Sequence, residues 1–205
     1  DVKIELYEDD IRPVDRYLME RYVKGGVKFA GIPIQKQGYL HYTQAKLTHD
    51  EFEPKPMSIL SIDIECNERG ELFSIGFYNS QVRKVLYNTS GMLVDINSLV
   101  NDAFVSDESD KTNAVEKVPD FIEWCQSEKQ LLQRFVAVIN EANPDCLIGW
   151  NFIGFDIRLI VKAAKRCNVR LSIGRDNSEL KFQDGNAGHQ RFPDRATVAG
   201  RIVLD

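Results

Sequence analysis

From residue 58 to residue 66 the chain reads Ser-Ile-Leu-Ser-Ile-Asp-Ile-Glu-Cys, an apolar, β-branched run with two acids at alternate positions. In an extended strand successive side chains alternate faces, so Asp63 and Glu65 share one face and Ile62 and Ile64 the other. With Ile59 and Leu60 also apolar, the run reads as a central strand covered on both faces. Glu68-Arg69-Gly70 then reads as a turn, Glu71 to Asn79 as a second alternating strand that closes a hairpin, and Arg83 to Tyr87 as a third. Ser90 to Pro119 is polar and poorly patterned, most loop-like from Ser106 to Lys111, and Phe121 to Cys125 suits a short strand. Ser127 followed by Gln130 predicts a capping box that opens a helix running to about Ala142, with Leu131, Leu132, Phe135, Val138 and Ile139 inward. Asn143-Pro144 stops that helix. Asp145 to Trp150 follows as a short buried strand and Phe155 to Cys167 as a second amphipathic helix. Residues 172 to 200, rich in Gly, Asn, Asp and Arg, suit a long loop or hairpin before a last strand at Arg201 to Asp205. Hairpin strands followed by helix, strand, helix and strand describe an α/β mixed sheet with helices on its faces. The strands near Ser58, Glu71 and Arg83 are expected to be consecutive antiparallel neighbours. Cys146 to Trp150 should run parallel to the first, because a helix crosses between them.

The first 55 residues are patterned differently. Ile11 to Val23 suits a helix, with Pro13 in its first turn, where proline is tolerated, and Lys24-Gly25-Gly26 at its end. Gly38 to Leu47 alternates weakly and suits a strand, and Glu51 to Pro56 reads as a linker. Fifty-odd residues are few for an independent core. The expectation is therefore part of a small α+β N-terminal domain over 1–55, and a second domain over 56–205. The chain opens on Asp1 and closes inside an apolar strand, so a fragment of something longer is expected.

The 205 residues, 43% of them hydrophobic, are enough for one full domain with a smaller companion. No apolar run approaches membrane-spanning length and no secretory leader pattern opens the sequence. The four cysteines are scattered without a CxxC pair, and read as reduced, mostly buried thiols of a cytosolic protein. A net charge of −5 argues against holding nucleic acid by bulk electrostatics, so any polyanion contact must be local or bridged by metal.

That bears on the acids. Two neighbouring carboxylates resist burial together, and are either solvated surface groups or are kept for a cation or a reaction. A second constellation lies at Gly149 to Asp156, where a buried strand ends at Trp150, a glycine-containing turn comes next, and Asp156 enters the following helix. Ligands of open α/β sheets gather at such strand ends. Taken alone, Asp156 would do no more than offset a helix dipole, worth ~0.3–1 kcal/mol. Three carboxylates from two elements, with no histidine or cysteine among them, suit hard Mg²⁺ or Mn²⁺, and in-line attack on a phosphodiester by two-metal catalysis.

Asp63-Ile64-Glu65 resembles the first motif, and Asn151 to Asp156 the second, of the 3′–5′ proofreading exonucleases that use four acidic residues. Three further strings, Arg12 to Arg21, Gly174 to Leu180 and Gly200 to Asp205, resemble the polymerase II branch of the bacterial family-B DNA polymerases. The resemblance implies a ribonuclease H-like exonuclease domain behind an N-terminal domain, in a bacterial, cytoplasmic DNA polymerase. It implies that Asp63 bridges two metals, Glu65 completes the water-activating site, Asp156 holds the second metal, and Asn151 and Phe155 bind the terminal nucleotide. It also implies Mg²⁺ or Mn²⁺ as cofactor, a single-stranded primer 3′ end as partner, and a sliding clamp engaged through the rest of the parent protein. Cys66 stands where that branch usually has threonine. The family's third motif supplies a tyrosine and a fourth acid, but no tyrosine follows Asp156, so the 205 residues alone are expected to cleave poorly. A free-standing 3′–5′ exonuclease on DNA or RNA is the alternative. A non-enzymatic binding module would want a basic surface. Arg158, Lys162 and Arg166 read as a solvated basic helix face, and Trp124 and Trp150 as core. Gly185 to Arg195 reads either as a hairpin that passes a primer end between sites or as a plain loop. No role is assigned to His41, His49 or His189.

Overall fold

The computed structural model describes residues 10–52, 55–90, 119–185 and 193–205, and divides into two compact units, Asp1–Pro56 and Met57–Asp205. In the first unit, helix α1 (Pro13–Met19) is shorter than the pattern suggests and has no buried residue. Strands β1 (Val27–Gln35) and β2 (Leu40–His49) pair antiparallel as a two-stranded sheet with a bulge between Ala30 and Ile32. Gly31 sits in that bulge, where a β-carbon would lie 2.9 Å from the Thr43 carbonyl. The Tyr17 hydroxyl accepts the Leu47 N–H at 3.3 Å and ties α1 to the hairpin. Strand β1 has no counterpart in the sequence reading.

The second unit is built on a six-stranded mixed sheet: β3 (Ile59–Cys66), β4 (Leu72–Tyr78), β5 (Arg83–Asn88), β6 (Ile122–Cys125), β7 (Cys146–Ile148) and β10 (Ile202–Leu204). Their spatial order is β10-β7-β3-β4-β5-β6. The expected antiparallel run β3-β4-β5 is present, and β7 lies parallel to β3 with Ile59 opposite Cys146. Both β6 and β10 add in parallel at the two edges. Most of the polar stretch between β5 and β6, residues 91–118, lies outside the described residues.

Helix α2 (Glu128–Ala142) begins where the capping pattern places it, with Ser127 Oγ accepting the Gln130 N–H at 3.2 Å. The returning Gln130 Oε1 accepts the N–H of Gln126, one residue earlier than a standard box provides. Its five inward residues are the five expected, and Phe135 meets Phe77 of β4 with ring centroids 6.0 Å apart. Each such side chain contributes about 1.5–3 kcal/mol by leaving water. Helix α3 (Arg158–Cys167) adds Ile160, Ala163 and Ala164 to the same core.

Strand β3 is not covered on both faces among the described residues. Leu60, Ile62 and Ile64 are buried in the core, whereas Ile59, Asp63 and Glu65 are exposed. The sheet therefore presents both acids on its open face. The basic face of α3 is also revised. Arg166 reaches the Glu128 carboxylate at 2.6 Å and the Gly70 carbonyl at 3.1 Å, and Arg158 binds Asp184 and Asp194. Two of its three cations thus join elements rather than face solvent.

Two arginines from the strings singled out above tie the parallel strands together. Arg201 is 9% exposed, and donates to the carbonyls of Pro144 (2.6 Å) and Ile173 (2.9 Å) and to Asn143 Oδ1 (3.0 Å). Arg175 donates to Asp145 Oδ1 at 2.7 Å and to the Gly200 carbonyl at 3.0 Å. Asp145 in turn accepts the Ser58 N–H at 2.9 Å. That bond from Ser58, with Arg175, holds the Asp145 carboxyl at about 2. One acid thus sets where β3, β7 and β10 all begin.

Candidate active site

The route from β7 to α3 forms the site. Strand β7 stops opposite Ser61, so β3 continues beyond it with no strand on that side among the described residues. Gly149 leaves β7 so close to β3 that a β-carbon would stand 2.6 Å from the Ile62 carbonyl, and only glycine fits there. Asn151 comes next but one, in the left-handed region at φ 50°, and Phe152–Ile157 form a π-helical turn before α3. Gly154 lets Asn151 fold back over the turn, since a β-carbon there would lie 2.8 Å from Asn151 Oδ1 and would push that side chain aside. The extra residue of a π turn rotates the residues after it about the helix axis, and such turns recur at functional sites.

In this turn Phe152, Asp156 and Ile157 point inward, while Asn151 and Phe155 stay exposed, Phe155 at 45%. Asp156 therefore lies in the π turn, not in the first turn of an α-helix. It is 2% exposed, and its Oδ1 accepts the N–H of Ile64 at 3.2 Å, on the stretch of β3 that β7 leaves open. Ile64 is the residue between Asp63 and Glu65, so the buried acid meets the backbone between the two exposed ones. Burial pushes the Asp156 carboxyl up to about 6, opposed by backbone hydrogen bonds and reinforced by the negative charges of Asp63 and Asp205. Desolvation also raises the Cys66 thiol, with Glu65 and Asp156 adding to it.

Beside Asp63 the neighbouring position on β4 is Gly76, which leaves room above the carboxylate. A cleft of about 260 Å³ opens there, lined by Ser61, Asp63, Tyr78 and Arg83 among others, with the Arg83 guanidinium over the Phe121 ring. Among the described residues no three carboxylates, histidines or cysteines stand as a closed metal-ligand set. Trp150 is 91% exposed and is not core, whereas Trp124 packs edge-on against Tyr87. Two contributors escaped the sequence reading. Phe152 anchors the turn, at the spacing of an apolar residue just past a strand. Asp205 lies in a string read for its resemblance but given no role, and its Oδ1 accepts the Ile153 N–H at 2.7 Å. Beyond the turn, β8 (Lys181–Gln183) and β9 (Arg195–Thr197) form a small antiparallel pair, and residues 186–192 of the stretch read as hairpin or loop lie outside the described residues.

The family profile described as "DNA polymerase family B, exonuclease domain" matches residues 4–205. DNA polymerase II of Escherichia coli is 32% identical over 207 residues, covering 98% of this chain and 22% of that protein. DNA polymerase 1 of Pyrococcus abyssi is 40% identical over 87 residues, 42% of this chain and 10% of that one. In structure the chain is similar to the family B DNA polymerase of Pyrobaculum calidifontis, at a TM-score of 0.59 and 20% identity, over 97% of this chain and 22% of that one. The chain thus spans about a fifth of the E. coli and Pyrobaculum polymerases. A profile match over nearly every residue, with acid-bearing turn and strand arranged as above, makes this chain a member of the family-B DNA polymerases, corresponding to their exonuclease domain.

Proposed function

We propose that this chain is the proofreading part of a longer DNA polymerase, releasing the 3′-terminal nucleotide of a single strand by metal-dependent hydrolysis. One observation carries the reading: Asp156, buried and hydrogen-bonded to Ile64, is set against the backbone between Asp63 and Glu65. The donor chemistry fits a hard divalent cation, because the three acids offer only oxygen and, among the described residues, neither the turn nor β3 carries a histidine. A desolvated carboxylate raised by a neighbouring negative charge is also a group that a cation would return to its ionised form. Asp63, Glu65 and Asp156 would hold Mg²⁺ or Mn²⁺. When bound, the metals would supply Lewis acidity and a water made nucleophilic near neutral pH.

The chain's own residues do the remainder. Exposed Asn151 and Phe155, on the outer side of the turn, seat the terminal nucleotide, Phe155 by stacking on a base and Asn151 by hydrogen bonding. Stacking of one base on an aromatic ring is worth about 1–3 kcal/mol and is indifferent to sequence, which suits an activity that must accept any 3′ end. The acidic balance of the chain fits a narrow grip on one strand end rather than a wide electrostatic hold on duplex. A sliding clamp is proposed as a partner of the wider polymerase on the resemblance alone.

The test is a time course on a 3′-labelled single-stranded oligonucleotide with the parent polymerase and its Asp63→Ala variant. Loss of this acid is expected to slow nucleotide release by at least ~10²-fold while primer extension continues. Release at an unchanged rate in Asp63→Ala would remove the reading.

A further inference from the structure

We infer that Asp205 is a positioning residue of the same site: its carboxylate clamps the turn that presents Asp156. The inference rests on the function proposed above. Strands β7 and β10 are parallel neighbours, in register from Cys146–Ile202 to Ile148–Leu204, so their carboxyl ends emerge side by side. The first continues into the Asn151 turn and the second into Asp205. Asp205 Oδ1 accepts the N–H of Ile153 at 2.7 Å, the shorter of the two side-chain hydrogen bonds that meet at this turn.

The physical need for that bond is local. The opening N–H groups of a helical turn have no partner inside it. Asn151 lies outside the turn at φ 50° and gives it no side-chain cap. A carboxylate brought in from a different strand supplies the missing acceptor, and a charged acceptor makes the stronger bond. It fixes the turn at Ile153, two residues past the Asn151 left-handed kink and three before Asp156. Together with the Ile64 N–H on the far side, the turn is held from both flanking strands, β10 through Asp205 and β3 through Asp156. Asp205 is close enough for its charge to act on Asp156. It is exposed, and among the described hydrogen bonds its side chain makes this one.

A turn freed at Ile153 would let Asp156 drift by a fraction of an ångström to an ångström, and misplacement on that scale costs on the order of 10²-fold in rate. The experiment compares Asp205→Ala and Asp205→Asn in the parent polymerase, following 3′-nucleotide release and hydrogen exchange in peptides that cover residues 151–157. The alanine variant is expected to lower kcat by about 10- to 100-fold with KM within about twofold, and to speed exchange in the turn. Asparagine keeps an oxygen acceptor at the same place and should restore most of the rate and the protection. An alanine variant with unchanged kcat and unchanged exchange would overturn the inference. So would an asparagine variant as slow as alanine, because charge rather than the acceptor would then be what matters. If the unaltered protein releases no nucleotide while alanine still deprotects the turn, the functional reading fails and the clamp stands.

Discussion

Asp156 surrenders its hydration beneath β3, and although the Ile64 N–H opposes it, that burial leaves its proton more tightly held in the fold than in the unfolded chain. Linkage then sets the sign of the effect on stability. A carboxyl raised from 3.8 to about 6 favours the folded state fully below the lower value, and that contribution is lost as pH rises through about 6. In EDTA, urea unfolding of the wild type should therefore lose on the order of 2 kcal/mol between pH 4 and pH 7 that Asp156→Asn does not lose. Parallel pH profiles for the two proteins would contradict the placement of this carboxylate. The alternation of acids and isoleucines on β3 was readable from period 2 alone, and so was the position of Asp156 just past a strand end. The π turn was not, because its extra residue leaves no mark on apolar spacing. The exposure of Trp150 was misread for a related reason: the strand stops at Ile148, and the next residues already belong to the turn.

At the scale of elements, the joints matter more than the strands. Arg201 gives its fork to three acceptors at the end of α2, the start of β7 and the loop after α3, with little exposure to water. Replacing it by methionine strands the two buried carbonyls, while Asn143 Oδ1 keeps the Arg175 donor, and is expected to cost about 2–4 kcal/mol in urea unfolding. Arg201→Lys, with a point charge in place of the fork, should recover only part of this. A loss below about 0.5 kcal/mol for the methionine variant would show that these bonds are replaced by water. The helix cap at Ser127, the five inward residues of α2 and the β3-β4-β5 meander were legible because cap chemistry and periodicity agree there. Strand β1 was not, since Gly31 and Pro33 interrupt its pattern and most of its residues gain nothing from burial. The arginines of α3 looked like a solvated face because their partners, Glu128, Asp184 and Asp194, are distant in sequence.

At the scale of the larger unit, one strand, one turn and one edge strand come to a common end of the sheet, where Asp156 accepts the Ile64 N–H of the acid-bearing strand and Asp205 accepts the Ile153 N–H of the turn. Glu123 shows how differently the fold treats an acid of structural use: a hydrogen bond from Arg134, with Lys84 beside it, holds that carboxyl at about 2. No such cation neighbours Asp156 or Asp63 among the described hydrogen bonds and ion pairs, which is the electrostatic setting a divalent ion would complete. The proposed site has Asp63, Glu65 and Asp156 hold such an ion together. It is tested most directly by titrating Mn²⁺ into the 205-residue chain under electron paramagnetic resonance, beside Asp63→Ala and Asp156→Ala, with folding checked by circular dichroism. Saturable binding by the wild type, weakened by about tenfold or more in each variant, is the predicted result. Folded variants that bind Mn²⁺ as tightly as the wild type would contradict it.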